Sequence, residues 1–183
     1  MIAALQRQQR RARGQSAVIV ALLLPFLMAF TLLVVEVAER WLEASMVEDA
    51  LQQATRSAVQ TLDYAALAGG REALRSAAEC HAVTWERPGP CQEVLAVAHR
   101  LFLTNLGGVR GLDEPPETTA ARVRWSVLPH GGTCTFNEAL RAPVSEPTPL
   151  ICAEVRPRMR GIVGWGVYHP LITAADTLEP VQP

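Results

Sequence analysis

The chain has 183 residues, enough for one domain with an anchor. Its 17 basic residues are all Arg and face 18 acids, so a net charge of −1 gives no reason to expect nucleic acid as a partner. The lack of Lys removes Schiff-base, P-loop and kinase chemistry, and an apolar fraction of 49% excludes a wholly disordered chain.

The charge is unevenly spread. Residues 1–16 hold Arg7, Arg10, Arg11 and Arg13 and no acid, which leaves 13 Arg against 18 acids for the remainder. Such asymmetry points to a membrane. From Ala17 to Val35, 19 consecutive residues carry no charge. A helix of that length spans a hydrocarbon core of about 30 Å, and only a helix satisfies its own backbone there. Pro25 lacks an N–H and should kink it. The four arginines before the run keep the N-terminus in the cytoplasm by the positive-inside rule. Three parts follow: a basic cytoplasmic leader over 1–16, a transmembrane helix over 17–37 and an extracytoplasmic domain over 38–183. A cleaved secretory signal also starts basic. Its apolar core runs to only about 7–15 residues, however, and for a cut after Ala38 the acidic Glu36 occupies a position that should be small.

Glu36 comes directly after the apolar run. An acid near the edge of a bilayer carries a desolvation cost and is a functional candidate by default. The alternative is a boundary residue that reaches water.

The helical pattern continues past the bilayer. Val47, Ala50, Leu51, Ala54, Ala58, Leu62 and Ala65 recur at spacings of three and four as one apolar stripe. Glu43, Glu48, Gln52, Gln53, Arg56, Gln60 and Asp63 mostly take the remaining surface. No Pro or Gly interrupts residues 26–68, so the pattern predicts one helix of about 50 residues, ended by Gly69-Gly70. An Ala-rich stripe suits packing on the chain's own domain better than a coiled coil, which wants larger residues.

Residues 71–79 and 92–106 read as two short helices, the second ended by Gly107-Gly108. Arg87-Pro-Gly-Pro-Cys91 is a turn between them, and residues 113–117 are a loop. Alternation then takes over. Val123, Trp125 and Val127 alternate with Arg122, Arg124 and Ser126, and Ile151, Ala153 and Val155 with Cys152, Glu154 and Arg156. His130-Gly-Gly is a turn, residues 133–137 are short and β-prone, and 143–149 is a loop. Residues 167–177 read as a last strand with a break at Pro170. Helices first and strands later indicate an α+β fold: a long N-terminal helix packed on short helices and a small antiparallel sheet.

Cys80, Cys91, Cys134 and Cys152 all fall on the outer side, and an even number there favours disulfides. Four cysteines allow three connectivities. The local one, Cys80–Cys91 with Cys134–Cys152, would clip a turn between two helices and join two strands. Each bond would close a loop of about 12–19 residues, worth roughly 3 kcal/mol in the chain-entropy view. Metal-binding spacing is missing, as are the common nucleophile, dinucleotide and phosphate motifs. No metal, cofactor or catalytic role is therefore expected. His81, His99, His130 and His169 read as surface or loop residues. Arg156, Arg158 and Arg160 alternate on one side of a strand, either as a solvated edge or as a patch for anionic lipid or an acidic partner.

Two stretches carry a family resemblance. Arg11 to Pro25 reads Arg-Ala-Arg-Gly-Gln-Ser-Ala-Val-Ile-Val-Ala-Leu-Leu-Leu-Pro, and Leu32 to Arg40 reads Leu-Leu-Val-Val-Glu-Val-Ala-Glu-Arg. Together they resemble the N-terminus of TadE/TadG-like proteins, minor pseudopilins of the tight-adherence (Flp) pilus system. Arg13-Gly14, Val18, Ala21, Leu24-Pro25 and Glu36 match that pattern, and residues 171–179 resemble its closing strand. The family's glutamate five positions after glycine is Ile19 here, and its aromatic neighbour is Val20. The resemblance implies a pilin-like fold and a non-enzymatic, structural role in a Flp-type pilus or related secretion machine of the bacterial cytoplasmic membrane. It implies a bilayer, other pilus-assembly or pseudopilin subunits and a prepilin peptidase as partners, with leader cleavage between Gly14 and Gln15. The alternative is a membrane-anchored extracytoplasmic binding or sensor domain with no connection to pili.

Overall fold

The structure is a computed structural model that describes residues 2–69, 73–75, 78–136, 144–162 and 166–178, with side chains of the first helix from Val18 onward. The fold is α+β. The chain divides into two compact units, Met1–Glu39 and Arg40–Pro183.

Helix α1 runs Ile2–Val59 and contains Pro25. From Val18 to Val37 every described side chain except Glu36 is exposed. This helix is long and apolar enough to cross a membrane. The hydroxyl of Thr31 donates to the Leu27 carbonyl at 2.8 Å, so the one polar side chain in mid-run is satisfied locally.

In the second unit the stripe on α1 turns inward as its spacing predicts. Val47, Ala50, Leu51, Ala54 and Ala58 are buried. The helix then stops at Val59, nine residues short of the expected end at Ala68. Thr61 to Asp63 leave it to pair with residues 73–75: Asp63 N–H donates to Ala73 O at 2.8 Å and Arg75 N–H to Thr61 O at 3.0 Å. Asp63 restarts a short helix, α2 (Tyr64–Ala68), by accepting the Ala65 N–H at 2.9 Å. Good helix formers do not hold the helix there, because the tertiary pairing satisfies the same backbone groups. Ala65 is consequently exposed and Leu62 only half-buried.

The helix expected over 71–79 is not formed by its described residues. Leu74 makes a bridge with Leu62, and β1 (Cys80–Val83) starts one residue after Glu79. Residues 71, 72, 76 and 77 lie outside the described ones, as do Gly70 and residues 137–143. A 3-10 turn at Gly89–Cys91 leads into α3 (Gln92–Leu106), which buries Val94, Leu95, Ala98, Phe102 and Leu106. A further short helix, α4 (Pro116–Ala121), occupies part of the expected loop, with Pro116 at its first position.

The remaining strands are β2 (Arg124–Leu128), β3 (Gly132–Cys134), β4 (Val144–Glu146), β5 (Leu150–Val155), β6 (Met159–Arg160), β7 (Val167–Tyr168) and β8 (Ile172–Thr177). Segment β4 was expected to be loop. The last strand is split into β7 and β8 around Pro170. The main sheet is antiparallel in the order β1-β2-β5-β8, and β3-β4 and β6-β7 are separate hairpins. One face of the main sheet, with Trp125, Val127, Ile151, Ala153, Val155, Ile172 and Ala174, closes the core against α1 and α3. On the other face Leu128, Leu150, Cys134 and Cys152 form a second cluster with Phe136, Val144 and Ala175. The β3–β4 hairpin thus adds a third layer. The chain enters it from β2 through a turn at Gly131, whose φ is +75° and where a Cβ would meet Pro147 carbonyl atoms at 2.6 Å, so no side chain fits.

Candidate functional site

The first candidate is the apolar helix with Glu36. Glu36 is 1% exposed. It is the sole buried side chain described between Val18 and Val37. Gly14 and Gln15 have helical backbone within α1, and their side chains lie outside the described ones. Ile19, at the place of the family glutamate, is half exposed.

The second candidate lies at the start of the second unit, where three segments meet. Residues 111–113 pair with β6: Arg160 N–H donates to Gly111 O and Asp113 N–H to Arg158 O, both at 2.8 Å. β6 in turn pairs with β7, Met159 opposite Tyr168 and Arg160 opposite Val167. Two links fix this small sheet to the helix. Gly111 N–H donates to Glu43 Oε2 at 3.1 Å, and Tyr168 O–H donates to the Arg40 carbonyl at 3.2 Å. The Arg40 guanidinium lies 5.0 Å from the centre of the Tyr168 ring, within cation–π range. Glu43 was expected on the solvated side of the helix and is instead buried. Its Cγ stands 3.0 Å from where a Gly111 Cβ would be, so only glycine lets the carboxylate close over the backbone N–H. Asp113 binds both Arg158 Nε and Arg160 Nη2 at 2.9 Å. Arg156, Arg158 and Arg160 are all exposed.

The cysteines form two disulfides. Cys80–Cys91 joins β1 to the turn before α3, rather than helix to helix. Cys134–Cys152 joins β3 to β5 and pins the hairpin layer to the main sheet. All four sulfurs belong to buried residues.

Other polar groups are engaged in structure. Thr55 O–H donates to Asp176 Oδ2 at 2.7 Å, and Arg56 Nε stands 3.6 Å from Asp176 Oδ1, beside a cleft lined by Gln60 and Leu178. Arg124 pairs with Glu154 at 3.3 Å, and Arg122 with Glu114. His99, expected on the surface, is half-buried and stacked on Trp85 with ring centres 4.6 Å apart. Burial pushes its pKa below the ordinary value of 6.5. His81, His130 and His169 are exposed. Among the described residues, no group of three or more His, Cys, Asp or Glu could hold a metal ion.

The Glu43–Gly111 and Arg40–Tyr168 links escaped the sequence reading because each joins residues far apart in the chain. A glycine followed two residues later by an acid, or a lone Tyr, carries no local signal of such a contact. No family model, curated protein or solved structure matches this chain.

Proposed function

We propose that the chain is a single-pass protein of the bacterial cytoplasmic membrane, a non-enzymatic pilus-assembly subunit of the TadE/TadG-like minor pseudopilin kind. In this reading the arginine-rich leader stays in the cytoplasm and residues 38–183 lie outside. The observation that carries the membrane part is the run Val18–Val35, apolar and wholly exposed in a single helix. Two disulfides in the second unit support an oxidising location for it. The pilus part rests on the match of Arg13-Gly14, Leu24-Pro25 and Glu36 to the family pattern. The role is structural, in priming or modulating a pilus or a related secretion machine. Its partners are the bilayer, other pseudopilin subunits and a prepilin peptidase that cuts after Gly14.

Two measurements test this. A reporter active only in the cytoplasm, fused after Pro183, should be silent, and strong activity would overturn the orientation. The intact mass of membrane-extracted protein should begin at Gln15, and Gly14→Leu should block that processing. A mass that retains Met1 to Gly14 in a host carrying the peptidase would remove the pseudopilin reading and leave the anchor.

A further inference from the structure

The main sheet carries a cleft of about 210 Å³ at one end, lined by Arg122, Arg124, Glu154, Val155, Arg156 and Leu171. Arg124 opposite Glu154 and Val155 opposite Ile172 are the last pairs of their ladders, so the cleft opens where β2 and β8 begin and β5 ends. Two of its three arginines are held in place by acids of the same unit. Arg124 Nη1 stands 3.3 Å from Glu154 Oε1, and Arg122 pairs with Glu114. The two carboxylate side chains are only 11% and 10% exposed. Glu114 is fixed in turn, since its Oε1 accepts the Thr119 O–H at 2.6 Å and the Arg158 N–H at 3.0 Å. A guanidinium presents five N–H donors in a rigid fork, so one that serves a buried carboxylate can serve a second anion on another side. Arginines oriented beforehand lose little side-chain freedom when they bind one.

Charge and size restrict the occupant. The lining brings three guanidinium groups against one carboxylate, and with Glu114 counted the excess is a single positive charge. A carboxylate balances it, whereas a phosphate group carries about −1.5 to −2 at pH 7 and overshoots. Sites for cofactors and nucleotide-sized ligands occupy about 300–1,000 Å³, more than this cleft offers. Leu171, half-buried, and the methylene stems of the arginines supply an aliphatic wall.

We propose that this cleft is a carboxylate-binding site that takes one aliphatic carboxylate about the size of a Glu side chain. Arg122, Arg124 and Arg156 receive the negative end, and Leu171 packs on the stem. A free small acid and a Glu side chain of another polypeptide present the same group. The site lies wholly within the second unit and does not depend on the membrane reading above.

The test uses the full chain in neutral detergent with ¹⁵N-labelled arginine, titrated at constant ionic strength and followed through the arginine Nε–H signals. Pentanoate should give saturable shifts at Arg122, Arg124 and Arg156, and pentanamide, its neutral counterpart, should not. Arg156→Gln should weaken pentanoate binding by about tenfold, and Arg156→Lys, which keeps the charge and loses the fork, should fall between. Arg156 is exposed, and protection of all four cysteines from alkylation verifies the fold of both variants. The blocked peptide acetyl-Ala-Glu-Ala-amide separates the two sources. Tighter binding of the peptide than of pentanoate supports the site and assigns it to a polypeptide, and the reverse supports it and assigns a free acid. Equal binding of pentanamide would make the cleft a merely apolar hollow and overturn the proposal. Tighter binding of inorganic phosphate than of pentanoate would overturn the carboxylate assignment. Unchanged affinity in Arg156→Gln, or no saturable shift with either carboxylate probe, would overturn the site itself.

Discussion

Tyr168 grips Arg40 at both ends: its hydroxyl donates to the Arg40 carbonyl at 3.2 Å, and its ring lies under the Arg40 guanidinium at 5.0 Å. The two contacts can be separated. Tyr168→Phe removes the hydrogen bond and keeps the ring, at a cost of about 1 kcal/mol. Tyr168→Ala removes both contacts and part of the buried ring area, at roughly 2 kcal/mol. Thermal unfolding of the detergent-solubilised chain should rank the three proteins in that order. Equal loss in the two variants would mean that the ring contributes nothing.

Gly111 and Glu43 should behave as a coupled pair. Gly111→Ala places a methyl group 3.0 Å from Glu43 Cγ and is expected to destabilise by about 1–3 kcal/mol. Glu43→Ala leaves the Gly111 N–H without its carboxylate, at about 1–3 kcal/mol. In the double variant the crowding Cγ is gone, so the combined loss should be smaller than the sum of the two. Additive losses in a double-mutant cycle would refute the steric account.

The disulfide pairing sets a clear chemical expectation. Native protein should take up no alkylating reagent and reduced, unfolded protein four equivalents, because the described structure leaves no free cysteine. A Cys80→Ser, Cys91→Ser pair and a Cys134→Ser, Cys152→Ser pair should each lower stability by about 2–4 kcal/mol. Peptide mapping that links Cys80 to Cys134 or Cys152 would contradict the fold at β1 and β5 together.

His99 gives the stability a pH dependence of definite sign. Burial lowers its folded-state pKa, so the unfolded chain takes up the proton first as the pH falls. The stabilisation is complete above about pH 6.5 and is lost as the pH drops toward the folded value, with a slope of at most about 1.4 kcal/mol per pH unit. His99→Phe keeps a ring against Trp85 and abolishes that titration. Denaturant unfolding at pH 7.5 and at successively lower pH should show the wild-type protein losing more stability than the variant. Parallel curves would remove His99 from the account.

What could be read from the sequence was what repeats locally. The alternation of Val123, Trp125 and Val127 with Arg124 and Ser126 appears, from the residue before β2 onward, as buried and half-buried positions. The stripe from Val47 to Ala58 is the buried face of α1, and Gly107 ends α3 where its spacing said it would. Misread elements were those decided by distant chain. Thr61–Asp63 are taken out of a good helical sequence by residues 73–75, which also begin the departure from the helix expected there. Glu43 looks like a solvent residue until Gly111 arrives from 68 positions away. In β5 the pattern implied one wet face, and Cys152 and Glu154 are nevertheless buried because the β3–β4 hairpin and the Arg124 side chain cover them. Of the site residues, the four cysteines were legible as an oxidised set. The surroundings of Glu36 were not, since burial of an acid has no local signature.

The position of β5 has a consequence for how this chain can change over generations. All six residues from Leu150 to Val155 are buried, and β5 is paired along both edges, to β2 on one side and β8 on the other. A strand with one wet face offers every second position to drift. This one offers none: its side chains meet the core, the β3–β4 hairpin, a disulfide partner or the Arg124 guanidinium, and its residues are in register with β2 from Leu150 to Glu154 and with β8 from Leu150 to Val155. Variation can enter Leu150–Val155 only with a compensating change in another layer. The surrounding elements can diverge far faster than the strand that holds them in register.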